Sequence, residues 1–185
     1  MASNNTNLGI GLATGMFYTA PVGTALPDYP TDSTGLASWT EAGAVTADGI
    51  TWSTGKDSDP LRNWAKEVER LVSSDEGGTV EAPLMHTTQK TLETIFGADN
   101  VTVTAANANH GALISVTVEP GVSAPSMAFL FIMKDGDDTL MLGTSKGVVR
   151  EVDDVTFAPT EAITWTATIE AASWTFMKDN GQATS

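Results

Sequence analysis

The sequence predicts a mainly β protein carrying one short flanking α-helix. Three observations lead there. Short segments in which Thr, Val, Ile and Trp alternate with small or polar residues recur along the chain, broken by Gly, Asn, Asp and Pro, which is the pattern of half-buried strands and turns. Three- and four-residue apolar spacing is clean in one stretch. The 185 residues, 41% hydrophobic and 17% charged, suit a single domain (1–185) large enough to bury a real core.

Taken in order, strands are expected near 44–54, 79–85, 101–105, 112–119, 127–134, 139–143, 147–152 and 161–170. "NANHG" at 107–111 and "KDGDD" at 134–138 supply the turn residues of two hairpins. "TTQKTLETIFG" reads as the helix: Thr87 or Thr88 is the N-cap, Leu92, Ile95 and Phe96 share one face directed at the core, and Gly97 is the stop. The last strand, "ITWTATIE", divides by period two into Ile163, Trp165, Ala167 and Ile169 on one side and Thr164, Thr166, Thr168 and Glu170 on the other. The first set is core. The second is small, polar and free of positive charge.

The stretch 55–78 supports more than one conformation. Asp59-Pro60 resembles a helix start, with Trp64, Val68 and Leu71 following at helical spacing, yet "VERLVSS" also alternates as a strand. Its length and flanking glycines suggest an extended loop shaped by contacts outside the subunit. Flexible termini are expected around the domain.

Formal charge is −14, and residues 1–50 contain no Lys or Arg, whereas Lys56, Arg62, Lys66 and Arg70 crowd into one stretch. Such a chain repels a nucleic-acid backbone, whose non-specific affinity depends on cations that release counterions. Without Cys there is no disulfide framework, thiolate metal site or cysteine nucleophile. The N-terminal segment shows no basic-then-apolar signal pattern and no apolar run reaches membrane-spanning length, so a soluble, unexported chain without membrane contact is expected.

Catalytic signals are absent from the sequence, and the expectation is a protein that is not an enzyme and needs no cofactor or metal. His86 and His110 have no carboxylate at a metal-ligand spacing. "DGDD" at 135–138 lacks the ligand spacing and terminal Glu of a calcium loop. Asp153 and Asp154 are adjacent, so a strand sends them to different sides. No G-x-S-x-G, phosphate-binding or dinucleotide fingerprint occurs. "NNT" at 4–6 and "NVT" at 100–102 match the glycosylation pattern, which an unexported chain does not use. Trp52, Trp165 and Trp174 lie in alternating segments and are expected in the core.

"GMFYTAPVGTALP" near the start, "VTADGITWSTGKDSDPLRNWAKEVERLV" in the middle and "VREVDDVTFAPTEAITWTATIEA" near the end together resemble the major tail protein, or tail tube protein, of long-tailed siphovirus-type bacteriophages. The similarity runs from about Leu8 to Lys178, and its weight lies in the order and spacing of the motifs. It implies a β-sandwich or barrel-like subunit that assembles with itself into stacked hexameric rings, the tube through which DNA is ejected. It further implies a tape-measure protein and tail terminator or tip proteins as partners, synthesis in the host bacterial cytoplasm, and residence in the virion. On that reading Thr164, Thr166, Thr168 and Glu170 line the channel, which DNA passes without specific binding. Lys56, Arg62, Trp64, Lys66 and Arg70 belong to an inter-subunit loop. The plain alternative for the threonines is bulk solvent. Rival readings of the whole chain are a carbohydrate-binding β-sandwich using Trp39 or Trp64 as stacking platforms, and the tube protein of a contractile injection machine.

Overall fold

The computed structural model describes residues 14–30, 35–62, 68–75, 77–118, 125–135, 138–160 and 162–179. Over these residues the protein is mainly β, as expected, with one α-helix. In chain order the strands are β1 (Thr14–Pro21), β2 (Thr40–Ala44), β3 (Thr51–Ser53), β4 (Lys56–Arg62), β5 (Val68–Asp75) and β6 (Thr79–Leu84). Helix α1 (Gln89–Phe96) follows, then β7 (Val101–Thr104), β8 (Leu113–Val116), β9 (Met127–Asp135), β10 (Asp138–Val152), β11 (Trp165–Ala171) and β12 (Thr175–Asp179).

Eight strands form one antiparallel sheet in the order β2-β1-β9-β10-β11-β6-β3, with β12 also paired to β10. The sheet closes on itself. After β2 the chain leaves β1 and crosses to β6, where the Met85 N–H donates to the Ala44 carbonyl at 3.1 Å and the Thr46 N–H to the Pro83 carbonyl at 2.9 Å. This links the first lane to the last, and β3 then resumes along the same edge of β6. A closed sheet removes edges that would otherwise pair indiscriminately.

The enclosed face is apolar. Phe17 from β1, Phe129 and Phe131 from β9, Leu142 and Val149 from β10, Ala167 and Ile169 from β11, and Val80, Ala82 and Leu84 from β6 form one buried cluster. Phe131 and Phe17 stack with ring centroids 4.7 Å apart. A second cluster lies outside the sheet over β1, β9 and the first half of β10, where Trp39, Leu26 and Leu36 cover Ala20, Ala128, Leu130 and Met141. Burial, and secondarily the charge of Glu41, raises the Tyr18 pKa above the ordinary tyrosine value in this layer.

Because β1 and β9 are covered on both faces, their sequences lose the apolar-polar alternation of a half-exposed strand. This explains why "GMFYTAP" gives no strand signal, although it pairs with β9 from Thr14↔Lys134 to Pro21↔Met127. The expected strand 44–54 is instead β2, a turn, and β3. The expected strands 139–143 and 147–152 are one, β10, whose irregularity between Thr144 and Gly147 is closed locally: the Lys146 N–H donates to Thr144 Oγ1 at 3.3 Å. Along its other edge β10 pairs first with β12 and then with β11 on one register, Gly143↔Thr175 and Gly147↔Ala171, up to a shift between Val149 and Glu151. β11 and β12 therefore occupy a single lane.

Helix α1 closes one end of the enclosed core. The Thr91 N–H donates to the Thr88 side chain at 3.2 Å, fixing Thr88 as N-cap, and Gly97 ends the helix at φ 89°, a conformation that favours glycine. Leu92 and Ile95 are buried, and Phe96, half-buried, meets Trp165 edge-on at 5.7 Å. The buried Thr91 hydroxyl donates to the Ala42 carbonyl at 2.6 Å and ties the helix to β2.

Between β3 and β6 the chain makes a hairpin, β4 paired with β5 as its own two-stranded sheet. The helical alternative for this stretch fails over 56–62 and 68–75: Pro60 sits in β4 opposite Leu71. Both strands of a two-stranded sheet are edges, where proline is tolerated. The hairpin's root is fixed by two glycines. A Cβ on Gly77 would overlap the Ala171 backbone, and the Gly78 carbonyl accepts from both the Ala171 N–H at 3.2 Å and Trp174 Nε1 at 2.7 Å.

Phe131→Ala should destabilise the isolated subunit by about 3–5 kcal/mol in denaturant unfolding, as for other fully buried aromatic truncations. Phe96→Ala, at a half-buried position, should cost less, about 2 kcal/mol. Gly77→Ala, which forces backbone apart at the hairpin root, should cost about 1–3 kcal/mol by the same measurement.

Candidate functional site

Strand β11 alternates as its sequence requires: Ala167, Ile169 and Ala171 are buried, while Thr166, Thr168 and Glu170 are half-buried on the opposite, outer face. Trp165 is only partly covered, its indole N–H donating to Thr87 Oγ1 at 3.0 Å. Thr164 precedes the strand, which begins at Trp165 rather than at 161. Its hydroxyl donates to the Ala162 carbonyl at 3.4 Å.

Neighbouring lanes extend the polar face. Thr168 pairs with Glu81, Glu170 with Thr79 and Thr166 with Pro83 on β6, and beyond them Glu81 pairs with Thr51 and Thr79 with Ser53 on β3. Directly opposed residues in an antiparallel sheet share a face, so Thr51, Ser53, Thr79, Glu81 and Pro83 join Thr166, Thr168 and Glu170. On the other side β10 contributes Val148 opposite Glu170 and Glu151 opposite Thr168. A bulge lies between Val149 and Glu151, and it sets Arg150 beside Glu151 on this same face, within reach of Glu170.

None of these residues is buried, whereas Val80, Ala82, Leu84, Ala167 and Ile169 behind them are. The outer surface of the sheet is thus split. Over β1, β9 and the first half of β10 the chain covers it with its own Trp39 layer, and over β11, β6, β3 and the last part of β10 it stays open, hydroxyl-rich and acidic. The cation described on the open half, Arg150, is paired with Glu170 at 3.3 Å. That pair is largely solvated, so it adds little stability. It does offset the charge that Arg150 would otherwise present.

Sequence reasoning found three residues of this face on β11 and missed those on β3, β6 and β10. Lane order depends on long-range pairing, and a bulge that turns adjacent charges to one side contradicts simple alternation. Lys56 and Arg62 lie in β4 and Arg70 in β5. Trp64 and Lys66 fall outside the described residues. Trp39 is 7% exposed and cannot serve as a stacking platform. Trp52, expected in the core, is 38% exposed and stacks on Phe176, because β3 ends beside the open end of the enclosed core. Trp174 is half-buried against Phe131.

Other candidate groups have local explanations. His86 Nδ1 accepts the Ala44 N–H at 3.4 Å beside the seam between β2 and β6, and the His110 N–H donates to Asn107 Oδ1 within the β7–β8 turn. Asp138 pairs with Lys178 at 3.1 Å. Among the described residues no cluster of His, Asp or Glu is arranged to hold a metal ion, and no helix is long and apolar enough to cross a membrane.

A family model described as phage tail tube protein matches residues 1–178. No curated protein matches the chain. The chain belongs to the phage tail tube proteins, structural components of the virion tail that assemble with copies of themselves into its tube.

Proposed function

We propose that the protein forms hexameric rings that stack into the tail tube, and that the open face of β11, β6, β3 and the end of β10 lines the channel through which DNA is ejected. The observation that carries this reading is the split outer surface. A sheet half covered by its own chain and half left polar is suited to facing water on one side while packing against subunit mass on the other.

The chemistry of that face favours passage over adhesion. Cations in contact with phosphates strengthen binding through counterion release, and here Glu81, Glu151 and Glu170 outnumber Arg150, which Glu170 already holds. Thr51, Thr79, Thr166 and Thr168 keep a hydrated layer between wall and duplex. Thr164, off the strand, contributes at the margin. The tape-measure protein occupies the same channel before ejection, with terminator and tip proteins at the ends.

The β4–β5 hairpin is the second working part, reaching a neighbouring subunit and coupling rings. Residues 56–76 carry Lys56, Arg62, Lys66 and Arg70 against Asp57, Asp59, Glu67, Glu69, Asp75 and Glu76, so the segment sums to 4 − 6 = −2. It therefore docks through individual pairs, not through net positive charge. Lys56, Arg62, Lys66 and Arg70 meet acidic groups next door, and Trp64 supplies the buried anchor.

Two experiments test these assignments. Thr166→Lys with Glu170→Lys adds two cations and releases Arg150, so tubes should still form while DNA ejection from phage carrying both changes slows or stops. Normal ejection kinetics would remove β11 from the channel wall. Replacing residues 57–76 with a short Gly-Ser linker should leave a subunit that unfolds cooperatively but makes no tubes in electron micrographs. Tubes formed at wild-type concentrations would show that the hairpin couples nothing.

A further inference from the structure

The β7–β8 hairpin packs on α1 at its base and projects an uncovered apolar surface. Val103 and Ile114 face each other across it on one face and are 44% and 37% exposed, while Leu113, opposite Thr104 on the other face, is 59% exposed and Val118 just beyond is 68% exposed. Residues 100–118 contain no Asp, Glu, Lys or Arg, in a chain whose formal charge is −14. Loss of charge together with exposed aliphatic side chains marks the centre of a protein interface. For copies that all carry negative charge, a charge-free contact is also the one with least mutual repulsion.

A matching surface lies at the other end of the molecule. Trp52 and Phe176, both exposed, stack with centroids 6.3 Å apart and planes 20° from parallel. The hairpin reaches the β11–β12 lane through α1, whose Phe96 touches Trp165 at the start of that lane. Phe176 lies further along it, past the break at 172–174, and Trp52 stands opposite Val80, toward the end of β6 away from the Leu84↔Trp165 pair. Each copy thus presents an aliphatic knob at one end and an aromatic pair at the other. Two different patches that meet between copies make a heterologous contact, which repeats head to tail without closing on a dimer.

We propose that Val103 and Ile114 of one copy seat against Trp52 and Phe176 of the next, a contact between copies of this chain separate from the β4–β5 hairpin. The inference rests on the tube assembly proposed above. The absence of Cys gives a direct test. Ile114→Cys and Phe176→Cys variants are prepared separately, assembled alone or mixed, oxidised mildly and run on a non-reducing gel. Mixed assemblies should give disulfide-linked dimers several-fold above either variant alone. Tubes without mixed cross-links, or cross-links equally strong in Ile114→Cys alone, overturn the docking and leave the tube reading standing. A wild-type chain that stays monomeric at every concentration overturns both. Independently, Val103→Thr with Ile114→Thr, at exposed positions, should raise the concentration at which tubes appear at least tenfold with unchanged thermal unfolding of the subunit. An unchanged onset would also overturn the proposal.

Discussion

Closure of the sheet is the constraint on which the rest depends. Ala44 and Thr46 carry the chain from β1 to β6 through two backbone hydrogen bonds, and only with that seam in place do Phe17, Phe129 and Phe131 find partners from Val80, Ala82 and Leu84. The stabilisation is mainly apolar burial, but its geometry is set by backbone pairing. Once the inside is filled, each outward-facing side chain must be covered by another part of the chain or be tolerable in water. The protein uses both solutions on one sheet. The Trp39 layer covers the half whose outward residues are Ala128, Leu130 and Met141, and the other half is built from Thr, Ser and Glu.

Irregularities in regular elements position the open polar face and the β4–β5 hairpin. Ideal alternation would have put Arg150 and Glu151 on opposite faces; the bulge gives both to the outer one, and Arg150 is then held by Glu170. Close by, against Ala171, Gly77 and Gly78 let β5 separate from the sheet while Trp174 pins the point of departure. A side chain at either glycine would collide with backbone, so the hairpin leaves at a defined place. Bulge and glycine pair shape the open face and the hairpin root rather than the core.

Elements marked by turns, caps or alternation were legible in the sequence, β9 among them although both its faces are covered, and elements without such marks were not. β6, β7, β8, β9 and α1 were found near their observed bounds because turns, caps or alternation mark them. β1 escaped since Phe17 and Tyr18 are both covered, from opposite sides. β12 escaped because "TFMKD" is short and its role as a continuation of β11 follows from register with β10, which no local window contains. The outer face was legible one strand at a time: Thr166, Thr168 and Glu170 declare themselves by period two, but their companions Thr51, Thr79 and Glu81 become neighbours only through pairings that span tens of residues. The hairpin at 55–78 shows the opposite limit. Its helical spacing was genuine, yet 56–62 and 68–75 pair with each other as strands, the alternative that the alternation of "VERLVSS" also allowed.

Charge links these observations to assembly. A copy at −14 gains solubility before assembly and meets repulsion afterwards, so contacts between copies cost least where charge is scarce or of mixed sign. The chain has both kinds of region. Residues 100–118 are charge-free, and residues 56–76 hold four cations among six acids. The remaining acid is then a property of the surfaces that stay wet. A channel wall is such a surface, and repulsion of phosphate there is useful rather than costly. A composition unfavourable for self-association over most of the chain is consistent with a tube as long as attraction is confined to those segments and repulsion is left to face the DNA.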